Sequence, residues 1–246
     1  MNKILFFLYF ATTCLRLSAE TIVIGSGDWP PYMNEKDKNQ GIAIQIIKES
    51  FARQGIEAKF VFLPWARSFE DAKNGKIDAS GVWLKNAERE KDFYYSDAVI
   101  NEQHGLFYLK EIKFNWNQVS DLKKYIFGGL ENFSYGLDID QAIVKGDIKI
   151  ERVKDDNTNF KKILAKRIGL YPQEINVGKH ILNRDFKKDE VKAIVSHPKL
   201  INVNPSYLIF SKKNKNSLIL VRRFNLGLKD LIVSGRYNKI YKSLEN

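Results

Sequence analysis

Residues 21–82 read TIVIGSGDWPPYMNEKDKNQGIAIQIIKESFARQGIEAKFVFLPWARSFEDAKNGKIDASGV, and the pattern in this stretch decides the fold class. The β-branched run 21–24 predicts a strand. Ala43, Ile46, Ile47 and Phe51 then recur at helical spacing on one face, and Gly55 ends that helix. Residues 59–63 predict a second strand, 66–74 a helix closed by Gly75, and 77–82 a third strand. Such a βαβαβ unit requires a parallel sheet covered by helices, because parallel strands need long crossovers. Outward from it, 105–109 form an apolar strand. The pattern then restarts with a strand at 125–130, a helix from about Ser134, a strand at 148–153, a helix around 160–165 and a strand at 168–170. The restart predicts a second α/β lobe. After Pro205, residues 207–210 predict a further strand. Two closing helices, 217–234 and 237–244, are separated by Gly235 and are expected to pack back on the first lobe.

The chain of 246 residues is long enough for two lobes with buried cores. With 44% hydrophobic and 13% aromatic residues it carries too much apolar surface to remain unfolded. No interior run is long enough to span a bilayer. The formal net charge of +11 is compatible with nucleic acid, an anionic surface or an anionic ligand, and does not choose among them. Cys14, the single cysteine, excludes an intramolecular disulfide and a cysteine-based metal site.

Residues 1–19 read as a secretory signal peptide. Lys3 supplies the positive start, 4–10 an unbroken apolar run, and Ala19 a small residue at the cleavage point. Ala11-Thr12-Thr13-Cys14 is a poor lipoprotein box because Thr precedes the cysteine. Cleavage after Ala19 removes Lys3 and Arg16 and no acid, so the mature net charge is 11 minus 2, or +9. The mature chain is expected in the periplasm.

Several chemistries are disfavoured. Gly25-Ser26-Gly27 follows a strand, but Pro30 occupies the third glycine position of a dinucleotide fingerprint. Ser134 lacks the first glycine of a nucleophile elbow and reads better as a helix N-cap. His104, His180 and His197 show no metal-ligand spacing, so neither metal nor cofactor is expected. Basic clusters such as Lys212-Lys213 and Arg222-Arg223 belong to no nucleic-acid motif.

An ordered set of segments instead resembles a known family. Asp28-Trp29-Pro30-Pro31-Tyr32 follows the first strand, Leu63-Pro64-Trp65-Ala66-Arg67 opens a helix, and Gly75-Lys76-Ile77-Asp78-Ala79 leads the third strand. Glu88-Arg89 precedes Phe93-Tyr94-Tyr95-Ser96, and 208–213 and 224–237 supply the return strand and terminal helices. In this order they resemble the periplasmic solute-binding proteins of polar amino-acid uptake, extracellular solute-binding family 3. The resemblance covers 20–246. It implies an α/β, two-lobed periplasmic-binding-protein (type II) fold with a ligand cleft between the lobes. Lobe 1 comprises 20–110 and 205–246, and lobe 2 comprises 111–204. The implied activity is capture of a small polar ligand, an amino acid or related carboxylate, by lobe closure, with delivery to an ABC-type permease by a monomer. The same scaffold is similar to periplasmic dehydratase enzymes, and a receptor reporting to a membrane sensor is a further reading; no catalytic set is visible.

A free amino acid presents a carboxylate, an ammonium and a variable side chain, so its receptor needs a forked cation, an acid and a wall. The resemblance places the carboxylate on Arg89, whose guanidinium matches it bidentately. Trp29 and Trp65 form the wall, beside Asp28; Tyr32 and Trp83 serve either as wall or as packing. The second lobe offers backbone N–H groups at the helix start around Ser134 and Tyr135. Glu174 stands near the position of the ammonium-binding acid, while Gly169 replaces an earlier Asp. Arg67 either adds a second cation, favouring an acidic ligand, or pairs with Glu70 on its own helix.

Overall fold

The computed structural model describes residues 20–131 and 133–244; the expected signal peptide lies outside the described residues. The first half follows the sequence pattern closely. Strand β1 (Glu20–Ser26) leads to helix α1 (Ile42–Ala52), strand β2 (Ile56–Phe62), helix α2 (Trp65–Lys73) and strand β3 (Ala79–Leu84). Strands β2 and β3 both pair with β1 in parallel. The expected face of α1 is buried at Ala43, Ile46, Ile47 and Phe51, so the helix is held by packing as much as by propensity.

A short helix α3 (Arg89–Asp92) then enters β4 (Phe93–Leu109), a 17-residue strand that continues well upstream of the expected 105–109. The polar residues Ser96, Asp97, Asn101, Glu102 and Gln103 interrupt its apolar run and hide its length in the sequence. The second half contains β5 (Ile126–Leu130), α4 (Leu137–Val144), β6 (Lys149–Val153), α5 (Asp156–Leu164), β7 (Tyr171–Glu174), α6 (Ile175–Asp185), α7 (Lys188–Ala193) and β8 (Ile194–Ser196). Residues 168–170, expected as a strand, make only a bridge from Leu170 to Phe127 just before β7 begins. Strand β9 (Asn202–Ser211) returns to the first half. Helices α8 (Ser217–Val233) and α9 (Arg236–Lys242) close the chain.

The large sheet has the order β2-β1-β3-β9-β4-β7, with β8 also on β4, and β5 and β6 form a separate parallel pair. Strands β4 and β9 run antiparallel from Phe93 opposite Ser211 to His104 opposite Asn202. Beyond that point β4 pairs with β7 and β8. Two long strands thus cross between the halves. One core gathers α1, α8 and the first strands, through residues such as Ile47, Phe51, Phe224 and Leu228. Another gathers Leu106, Trp116, Phe127, Tyr135 and Leu170. Helices α1 and α8 approach so closely that a Cβ on Gly227 would lie 1.9 Å from the Ser50 carbonyl oxygen, a contact only glycine permits. Among the described residues no helix is long and apolar enough to cross a membrane.

Candidate functional site

A cleft of about 470 Å³ opens between the halves, lined on one side by Trp29, Trp65, Trp83 and Arg89 and on the other by Leu130, Phe133, Asp156 and Gln173. Glu102, His104 and Glu174 lie at its base, on or beside the crossing strand β4. Each indole is set by local structure. Trp29 sits in the turn after β1, where its backbone N–H donates to the Met33 carbonyl at 2.7 Å and its own carbonyl accepts from the backbone N–H groups of Tyr32 and Met33. Trp65 opens α2 and lies flat on Gly27, where a Cβ would fall 2.2 Å from the indole. Trp83 meets Trp65 edge to face at 5.2 Å, and its Nε1 donates to Ser80 Oγ at 2.9 Å. All three indoles are half-buried. That is the state of a wall rather than of a core.

Arg89 completes this side. Its guanidinium stacks 4.8 Å over the Trp83 ring and Nη1 donates to the Leu84 carbonyl at 2.8 Å. No carboxylate pairs with it among the described residues, and its Nε and Nη2 have no protein acceptor there. The stacking and single backbone bond fix the plane of the fork and leave donors for an anion.

The base of the cleft is bonded internally. Glu174 is 1% exposed. Its Oε1 accepts from Tyr32 Oη at 2.8 Å and from the Gln103 N–H at 3.3 Å, and its Oε2 accepts from the Val177 N–H at 2.8 Å, capping α6. Burial pushes its carboxyl above the ordinary range. Glu102 accepts from Ser206 Oγ and lies 3.3 Å from His104 Nε2. Asp156 Oδ1 accepts from both Tyr171 Oη and Gln173 Nε2.

The structure therefore brings Trp29, Trp65, Trp83, Arg89 and Glu174 together and places the other expected residues elsewhere. Asp28 is exposed and accepts from the Glu35 N–H at 3.0 Å within its own loop. Tyr32 is fully buried, its ring 4.7 Å from Trp29 and its hydroxyl on Glu174. It packs behind the wall. Arg67 pairs through Nε with Asp71 at 2.6 Å, one helical turn on, rather than with Glu70. Helix α4 starts two residues later than the Ser134 cap requires, with Gly136 at the N-cap position. Ser134 Oγ turns to Asp140 instead. Tyr135 is buried, and its hydroxyl accepts from the Leu130 N–H at 2.6 Å. Phe133, Asp156 and Gln173 also line the cleft, and nothing in their sequence context marks them for it. The pair Asp155-Asp156 reads in sequence as an ordinary helix start, and Asp155 is indeed the cap, accepting from the Thr158 N–H. Among the described residues no cluster of side chains could hold a metal ion.

A family model for bacterial extracellular solute-binding proteins, family 3, matches residues 22–244, and the chain belongs to that family. The probable amino-acid ABC transporter extracellular-binding protein ytmK from Bacillus subtilis is similar in structure, with a TM-score of 0.77 and 17% identity, over 92% of this chain and 98% of that one. The substrate-binding domain 2 of Lactococcus lactis GlnP, in an open conformation, gives 0.72 and 18%, over 90% and 93%. A histidine kinase sensor domain with similarity to periplasmic binding proteins gives 0.66 and 17%, over 91% and 95%. At these identities the likeness establishes the two-lobed type II fold. No protein of curated function matches the sequence.

Proposed function

We propose that this chain is an exported, periplasmic solute-binding protein that captures an amino acid or related small carboxylate between its lobes and delivers it to an ABC-type permease. The observation that carries the reading is the first wall of the cleft: three half-buried indoles beside a guanidinium that no described carboxylate neutralises. Such a wall holds an anionic head in two directions and covers an organic body. We place lobe 1 at 20–110 with 205–246 and lobe 2 at 111–204. The crossing strands β4 and β9 then form the hinge. A ligand that touches both walls binds the closed state better than the open one and shifts the population toward it.

A thermal-shift screen of free amino acids and small carboxylates tests the reading. At least one should raise the unfolding midpoint, and it should be recovered chemically unchanged after incubation in large molar excess. Multiple-turnover conversion, abolished by Glu174→Gln, would support the dehydratase-like alternative. The likeness to a kinase sensor domain favours, as a second reading, a receptor that reports ligand to a membrane sensor. Permease and ATPase genes beside its own would support transport. For export, the intact mass of the secreted chain should begin at Glu20, and a diacylglyceryl adduct on Cys14 would contradict that start.

A further inference from the structure

Gly25 and Gly27, at the end of β1 and in the turn after it, leave room beside the first wall of the cleft, and α2 fills that room. A Cβ on Gly25 would lie 2.5 Å from Ser68 Oγ, as one on Gly27 would meet the Trp65 indole. Trp65, Ser68 and Phe69 share one face of α2, three and four residues apart, and all three meet residues of β3. Trp65 and Phe69 stand edge to face with Trp83 at 5.2 and 5.4 Å. Ser68 Oγ lies 2.6 Å from Ser80 Oγ. Both serines are fully buried, and neither lines the cleft.

An indole N–H only donates. Trp83 Nε1 donates to Ser80 Oγ at 2.9 Å, and the bond between the two serines continues the chain back to α2. Turning the ring forfeits a bond to a fully buried oxygen, so the hydroxyl pair sets the plane of the indole. The face of that ring carries Arg89, whose guanidinium lies 4.8 Å above it. Among the described residues the guanidinium makes one hydrogen bond, from Nη1 to the Leu84 carbonyl. One bond leaves rotation about itself, and the Trp83 face removes it.

We propose that Ser80 and Ser68 are positioning residues for the first wall of the cleft: without touching a ligand, the serine pair fixes the Trp83 indole, and the indole face fixes the Arg89 fork. The inference rests on the solute-binding reading and extends it to residues outside the cleft. Gly25-Ser26-Gly27, which does not form a phosphate loop, then serves binding as the seat of α2.

The test has one arm without ligand and one with it. The four tryptophans give four indole N–H signals in a nitrogen-15 correlation spectrum, and Trp83→Phe identifies the one from Trp83. In Ser80→Ala that signal should exchange with solvent about tenfold faster or more, while those of Trp29, Trp65 and Trp116 hold. Calorimetry with L-phenylalanine, L-arginine and L-glutamine follows on the wild type, Ser80→Ala, Trp83→Phe and the double variant. For a probe that the wild type binds, Ser80→Ala should weaken affinity about tenfold, and the double variant should bind no worse than Trp83→Phe alone, because the serine acts only through the indole. Ser68→Ala leaves the Trp83 acceptor in place, so it should move both readouts the same way by less, and it carries the test if Ser80→Ala does not fold. An unchanged Trp83 signal in Ser80→Ala overturns the proposal and leaves the solute-binding reading standing. So does affinity within twofold of wild type, or a loss that adds in full to that of Trp83→Phe, either of which reduces the serine pair to packing. If no probe binds the wild type, the amino-acid reading itself fails and the proposal with it.

Discussion

The two faces of the cleft differ in kind. The first, made by Trp29, Trp65, Trp83 and Arg89, presents half-buried rings and a guanidinium with donors to spare. The base and far face, made by Glu102, His104, Gln173, Glu174 and Asp156, is knit by hydrogen bonds among its own members. A surface that keeps unsatisfied donors at a cavity suits a partner that comes and goes. A surface whose polar groups satisfy one another holds the protein's own parts in place, since a buried polar network is stable only when it is complete. The contrast supports the proposal that the first face anchors the ligand while the buried base holds the halves together.

The largest expected effect would break that contrast on the first face. Arg89→Ala should weaken binding of the amino acid selected by thermal shift by about 2 to 5 kcal/mol, because the ligand carboxylate is left without its partner in a partly desolvated cleft. Calorimetry should show Arg89→Lys recovering only part of the loss, since a point charge does not reproduce the fork. On the base, Tyr32→Phe should lower the free energy of unfolding by about 1 to 3 kcal/mol, measured by denaturant titration, because Glu174 and Asn176 each lose a buried partner.

Glu174→Gln sharpens the same point through pH. The buried carboxyl is raised above its ordinary value of 4.5, so the folded state holds a proton that the unfolded chain releases. Stability from this group is therefore full below pH 4.5 and is lost as pH rises toward the raised folded value. The wild-type unfolding midpoint should carry that downward slope, and Glu174→Gln should flatten it. The smallest effect is expected at Arg67. Its own side chain is 62% exposed, and the Asp71 carboxylate it meets keeps Lys76 at 3.2 Å, so Arg67→Ala should leave ligand affinity within about twofold and lower the free energy of unfolding by no more than about 1 kcal/mol.

The legible parts of the molecule were those with a strong period. The α1 face of Ala43, Ile46, Ile47 and Phe51 repeats helically, and β1, β2 and β3 appear within a few residues of their expected places. Helix α6 gives no clear sequence signal, because its buried positions Val177, Gly178, Ile181 and Leu182 are diluted by Asn, Lys and His. The length of β4 was hidden by polar residues whose partners are distant in sequence, as when Asp97 donates its N–H to Asn225. At the site, Trp29, Trp65 and Arg89 carry a local signal, being aromatic or cationic residues in loops and helix starts. Tyr32 does not. Only the fold reveals that its hydroxyl meets Glu174, 142 residues away. Asp156 was equally hidden, since an acid in the first turn of a helix needs no functional explanation.

Closure of the two lobes about β4 and β9 is the proposed basis of ligand capture, and small-angle scattering of the protein with and without a saturating amino acid from the thermal-shift screen tests it. A smaller radius of gyration is expected on ligand addition, and no such change for Arg89→Ala at the same ligand concentration. An unchanged radius for the wild type under conditions where calorimetry shows the cleft to be filled would contradict it.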